Sequence, residues 1–228
     1  MHLMQQLLAE VRELSQDLAD VSLSRVCVGC GRECAVLCDR CQARLPMTAA
    51  KRDHDPLIWY AGEHEGLVRD LVLAHKERGV RAVTHILGRL LAISTWHAVD
   101  GWFASPITLV PVPPHRSSIR SRGRDSLGEI VQSSARVLRA RGRSIAVAPV
   151  LQWRRENERH AGLSASARWE LNNAFLVRSR TALPRMAVVV DDVVTTGATV
   201  AEAVRVLRAA GVDVQAVACV ASRSRGTR

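Results

Sequence analysis

The sequence predicts an α/β protein: a parallel sheet flanked by helices, with a small four-cysteine module ahead of it. Three observations predict it. Residues 107–112 and 186–190 are runs of β-branched and apolar residues without alternation, as strands buried on both faces require. Stretches with apolar residues at helical spacing lie between such runs. Two C-x-x-C knuckles stand apart near the beginning, with seven residues between them. The expected boundaries are 1–21 for an amphipathic helix, 22–50 for the cysteine module, 51–221 for the α/β domain and 222–228 for a basic tail.

Composition narrows the class. A chain of 228 residues, 47% of them hydrophobic, suits one α/β domain plus an appendage. No run approaches the roughly 20 apolar residues of a membrane span, so no membrane insertion is expected. The first twenty residues carry charges throughout and lack a signal-peptide core, which points to the cytoplasm. The net charge is +10, and of 32 basic residues only Lys51 and Lys76 are lysines. Such a surface favours polyanions, either nucleic acid or phosphorylated small molecules. A genome-wide preference for arginine codons produces the same bias.

Taken in order, Leu3, Leu7, Val11, Leu14, Leu18 and Val21 form one stripe of a first helix, suited to packing or to a dimer contact. Cys27, Cys30, Cys38 and Cys41 follow. Four thiolates from two such turns close a tetrahedral, structural zinc site. Disulfides compete on spacing, and a cytoplasmic setting disfavours them. Cys34 is a fifth, outside the knuckles. Cys219 reads as a small buried hydrophobe. Residues 57–61 read as a strand, 63–77 as a helix and 80–99 as a long core helix. Lys76 lies at the end of the first of these, and a lysine in so arginine-rich a chain marks a candidate site residue. His64, His75, His85 and His97 form no group. A strand over 107–112 runs into Pro113 and Pro114. The basic loop over 115–124 follows, with Arg116, Arg120, Arg122 and Arg124 suited to a second anion. Residues 125–141 read as a helix, 146–151 and 175–177 as strands, and 153–173 as a polar flap.

The stretch that organises the chain is 186–210. Its strand meets Asp191 and Asp192, then Val193, Thr195, Thr196, Gly197, Ala198 and Thr199 in a small, hydroxyl-rich turn. A helix follows, and a further strand covers 212–220. Open α/β sheets place ligands at this carboxyl end. A helix N-terminus attracts phosphate, Gly197 lets backbone approach it, and the threonine hydroxyls add donors. The paired carboxylates suit a vicinal diol, or water on a hard metal. Together they describe a ribose 5-phosphate site. No lysine follows the glycine as in a Walker A loop, and G-x-G-x-x-G is absent.

DDVVTTGAT resembles the phosphoribosyl-pyrophosphate (PRPP) motif of type I phosphoribosyltransferases. That resemblance implies that Asp191 and Asp192 hold the ribose hydroxyls and that Thr195 to Thr199 hold the 5-phosphate. With the cysteine knuckles, Lys76, the strand ending at Pro113 and Arg122-Gly123, the chain from about Cys27 to Ala221 resembles the ComF family of competence-associated phosphoribosyltransferase-like proteins. The resemblance implies a type I phosphoribosyltransferase-like fold. It also implies a pyrophosphate loop over Val112 to Arg116, with Pro113 and Arg116, and a mobile hood over Arg120 to Arg124. Mg²⁺ enters with PRPP. The implied activity is phosphoribosyl transfer with release of pyrophosphate, in DNA uptake or processing. The alternative is a non-catalytic PRPP sensor or an accessory protein that handles single-stranded DNA, with a competence or DNA-processing partner. For stacking on bases, Trp153 and Trp169 form the candidate pair. Arg124-Asp125-Ser126 and His160 depart from the family pattern, and both bear on the acceptor.

Overall fold

A computed structural model of the chain describes residues 26–101, 106–154, 174–179 and 181–223. The expected helix over 1–21, His160, Trp169 and the tail beyond 223 lie outside the described residues. Among the described residues, eight strands and six α-helices follow in order: α1 (Asp39–Gln42), β1 (Ala50–Arg52), β2 (Ile58–Glu63), α2 (Gly66–Lys76), α3 (Thr84–Ala98), β3 (Ile107–Pro111), α4 (Arg116–Arg122), α5 (Ser126–Ala140), β4 (Ile145–Val147), β5 (Leu151–Trp153), β6 (Phe175–Val177), β7 (Met186–Val194), α6 (Ala198–Ala209) and β8 (Asp213–Ser222). A short 3₁₀ turn over Arg81–Val83 leads into α3.

Six strands form one sheet in the order β1-β2-β8-β7-β3-β4. All neighbours are parallel except β1, which pairs antiparallel with β2. β5 and β6 form a separate antiparallel pair. The unalternating valines of β7 explain its place. Val188, Val189 and Val190 are fully buried, so both faces of the strand are covered. Helices α3 and α5 pack on each other and on the sheet, while α6 packs on β6, β7 and β8. Mid-helix Ser94 would be a costly polar group in this core. It is satisfied by donating to the Cys219 carbonyl of β8 at 2.7 Å.

Several elements differ from the sequence reading, each for a physical reason. β7 does not stop before the acids. It runs on to Val194, because β8 continues alongside with Asp191 opposite Cys219 and Val194 opposite Ser222. The expected strand over 146–151 divides between the two sheets. The basic loop over 115–124 folds as α4, which the His115 ring caps by accepting from the Ser117 N–H. β1 spans the boundary drawn at residue 50, so cysteine module and sheet are joined by a strand.

Helices α3 and α5 approach closely at Gly88. A methyl there would lie 2.5 Å from Ser133 Cβ and 3.1 Å from its carbonyl carbon. Gly88→Ala is therefore expected to destabilise the protein by about 1–3 kcal/mol despite the better helix propensity of alanine. Urea denaturation checks this, and an unchanged or raised midpoint would show that the two helices part freely.

Candidate functional site

Three parallel strands, β2, β7 and β3, end on one edge of the sheet, and the chemistry of the chain collects there. Asp192 is only 5% exposed. A carboxylate so placed requires a cation. Lys76, the last residue of α2, supplies it: Nζ lies 2.7 Å from each Asp192 oxygen. The Val193 N–H donates to Asp192 Oδ1 at 2.7 Å, and the Asp192 N–H donates to Asp191 Oδ1 at 2.8 Å. Burial, with the neighbouring Asp192 carboxylate, pushes the Asp191 carboxyl up to about 8, while Lys76 pulls the other way.

The turn follows directly. Thr195 and Thr196 are exposed, and Thr196 Oγ1 accepts from the Ala198 N–H at 3.3 Å. Gly197 adopts φ 89°, a left-handed conformation that other residues resist, and caps the N-terminus of α6. Ala198 and Thr199 open that helix. The first amide groups of a twelve-residue helix thus lie a few residues beyond the acid pair.

The neighbouring strand end brings Pro113. Val112 donates to the Val190 carbonyl at 3.0 Å, so residues 112–113 leave the sheet beside Asp191. Arg116 opens α4, and its side chain lies outside what the structure describes. Arg122 is tied to Glu77 at 3.0 Å, one residue beyond Lys76. Arg124, in the stretch expected to form a hood, has a side chain 9% exposed that donates to the His75 carbonyl and to Glu129. Glu129 also faces fully buried His75 at 3.3 Å and Arg81 at 3.6 Å. Burial acts against its charge, yet His75, Arg124 and Arg81 hold the Glu129 carboxyl below its usual range. This cluster clamps the last turn of α2 and so fixes where Lys76 stands.

Three residues that sequence reasoning missed belong to the same edge. Arg52 donates to the Thr195 carbonyl at 2.8 Å. The His54 ring lies against Gly197. His64 follows β2, and burial together with Arg69, Lys76 and Arg223 holds its imidazole below the ordinary value. No short-range pattern signals them, because each reaches the site through strand pairing across more than a hundred residues.

The sulfur atoms of Cys27, Cys30, Cys38 and Cys41 lie within 4.8 Å of one another, and this cluster can hold a metal ion. Cys30 and Cys38 are 3.6 Å apart, close to the ~3.8 Å edge of a tetrahedron with metal–sulfur bonds of about 2.3 Å. Burial opposes it, yet backbone N–H groups of Cys38, Gly29 and Cys30 bring the Cys27 thiol down to about 6, while burial and the three neighbouring cysteines push the Cys41 thiol up to about 12. Cys34 stays outside the cluster.

No protein-family model matches the chain, and no curated protein matches it. Among solved structures, it is similar to an orotate phosphoribosyltransferase from Aeropyrum pernix, at 18% identity and a TM-score of 0.35. That similarity covers 69% of this chain and 66% of the other, just under two thirds of its length. No helix among the described residues is long and apolar enough to cross a membrane.

The raised Asp191 carboxyl fixes a sign. The folded state holds its proton to about pH 8, whereas the unfolded chain releases it near 4. Over that window the folded state binds more protons, so the Asp191 contribution to stability falls as pH rises and is unfavourable at neutrality. Asp191→Asn is expected to flatten this part of the Tm–pH profile and to raise Tm most near pH 8. An identical profile in wild type and variant would contradict the assignment.

Proposed function

We propose that the chain binds 5-phosphoribosyl pyrophosphate and transfers its phosphoribosyl group with release of pyrophosphate. One observation carries the reading: a lysine-paired acid dyad at the carboxyl end of a central strand runs straight into a threonine–glycine turn at a helix N-terminus. Diol acceptors followed by phosphate donors match a ribose 5-phosphate in order and in chemistry. In this reading Asp191 and Asp192 orient the ribose hydroxyls, and Val193 and Thr195 to Thr199 hold the 5-phosphate. Residues 112–116, with Pro113 and Arg116, face the diphosphate, and Arg122 stands near Lys76.

Displacement at C1 passes through a sugar with cationic character. Such a reaction needs no covalent intermediate with the protein. It needs the sugar fixed, the departing diphosphate stabilised and water kept out. Lys76 holds the Asp192 carboxylate in place. In this reading Mg²⁺ would come with the diphosphate and neutralise charge there. The four-cysteine cluster, closed by its own ligands, suits structural zinc.

Direct handling of single-stranded DNA gains no support from the tryptophan proposed for stacking. Trp153 packs edge-on against His115 and Phe175 and donates from Nε1 to the Pro113 carbonyl at 2.9 Å. It braces the loop after β3.

Calorimetric titration of PRPP with Mg²⁺ tests the reading, on wild type and on Asp191→Asn/Asp192→Asn. Binding that the double variant loses is expected, and unchanged affinity would remove the ribose assignment. Pyrophosphate release on adding nucleobases would establish transfer, whereas binding without release would leave a PRPP sensor. Elemental analysis of the purified protein is expected to return about one zinc per chain, lost together with thermal stability in Cys27→Ser/Cys41→Ser. A metal-free protein of full stability would refute the zinc assignment.

A further inference from the structure

The turn between β7 and α6 is held by a side chain from outside its motif. Arg52, at the end of β1, sends Nη1 to the Thr195 carbonyl at 2.8 Å. The same nitrogen lies 3.3 Å from Ser222 Oγ and 3.4 Å from the Arg223 carbonyl, at the end of β8. Its Nη2 sits 3.1 Å from the place a Cβ on residue 197 would take, and the His54 ring sits 3.3 Å from it. His54 is itself fixed, because its Nδ1 donates to the Pro56 carbonyl at 3.1 Å. The guanidinium therefore lies along residues 195–197 and ties them to the neighbouring strand.

We infer that Arg52 is a positioning residue for the phosphate end of the ligand; the inference rests on the PRPP reading of the same edge. Two physical effects follow from its place. Its bond to the Thr195 carbonyl fixes the backbone of an otherwise exposed turn, so the amides of residues 197–199 are set before an anion arrives. Its charge also stands beside the turn, where it offsets that of a phosphate. Arginine suits the task because its planar, always-charged group sets Nη1 against the Thr195 carbonyl, Ser222 Oγ and the Arg223 carbonyl while Nη2 stands over residue 197. A lysine keeps the charge and loses that plane. The wall made by Arg52 and His54, added to the left-handed φ, restricts residue 197 to glycine.

The test compares two half-ligands by calorimetry in the presence of Mg²⁺: ribose 5-phosphate, which engages the turn, and inorganic pyrophosphate, which engages the loop after β3. Arg52→Ala is expected to weaken ribose 5-phosphate by about tenfold or more, the scale of hydrogen bonds to a charged group, with pyrophosphate changed less than about twofold. Arg52→Lys recovers part of the loss through charge alone. Unchanged ribose 5-phosphate affinity in Arg52→Ala would overturn the inference while leaving the PRPP reading intact. Equal losses for both ligands in Arg52→Ala and Arg52→Lys would also overturn it, since Arg52 would then serve the fold alone. A wild-type protein that binds neither half-ligand would overturn the PRPP reading and this inference together.

Discussion

A buried carboxylate must be paired, and the pairing of Asp192 organises the functional edge. Strand β7 is covered on both faces, so its first polar groups come only at its carboxyl end. There Asp192 is nearly inaccessible, and leaving it bare would cost several kcal/mol. Lys76 answers that demand, so α2 has to end beside β7. The cluster of His75, Arg124 and Glu129 then holds the end of that helix. Through Arg124 and Arg122 the segment after β3 folds back onto the same place. One charge thus settles where a helix stops and how a basic segment is laid down.

What the sequence made legible was local. The strand–turn–helix at 186–210 could be read because burial on both faces writes itself as a run of valines, and because Gly197 has few alternatives at its φ. The knuckles were legible because four thiols at short spacing have few structural uses. Lys76 stood out by its rarity and its place at a helix end, and its contact with Asp192 was not readable. What stayed hidden was long-range or weakly patterned. Helix α4 has Ile119 as its one apolar residue, and that residue is exposed, so no periodicity announces it. Strand β1 is three residues long and largely exposed. The extension of β7 through the acids depends on its partner strand rather than on its own composition.

Trp153 shows how packing engages a side chain that the sequence singles out. A tryptophan beside arginines in a polar stretch suits a base-stacking platform. Here its half-buried ring meets His115 and Phe175 edge-on, and its N–H satisfies the Pro113 carbonyl. Packing the small β5–β6 sheet against the loop after β3 thus engages the ring and its donor.

The place of β8 has a consequence for how this protein reaches its fold. The strand latest in sequence among those described lies in the interior of the sheet, between β2 and β7. Its pairing with β2 joins residues 58–63 to residues 217–222. Until that strand docks, β2 and β7 both present unpaired edges, and β1 with Arg52 has no Ser222 to meet. Contacts this distant in sequence slow the search for the native topology, and open edges invite pairing with other chains. The topology therefore favours late closure of the sheet, with the functional edge among the last parts to assemble.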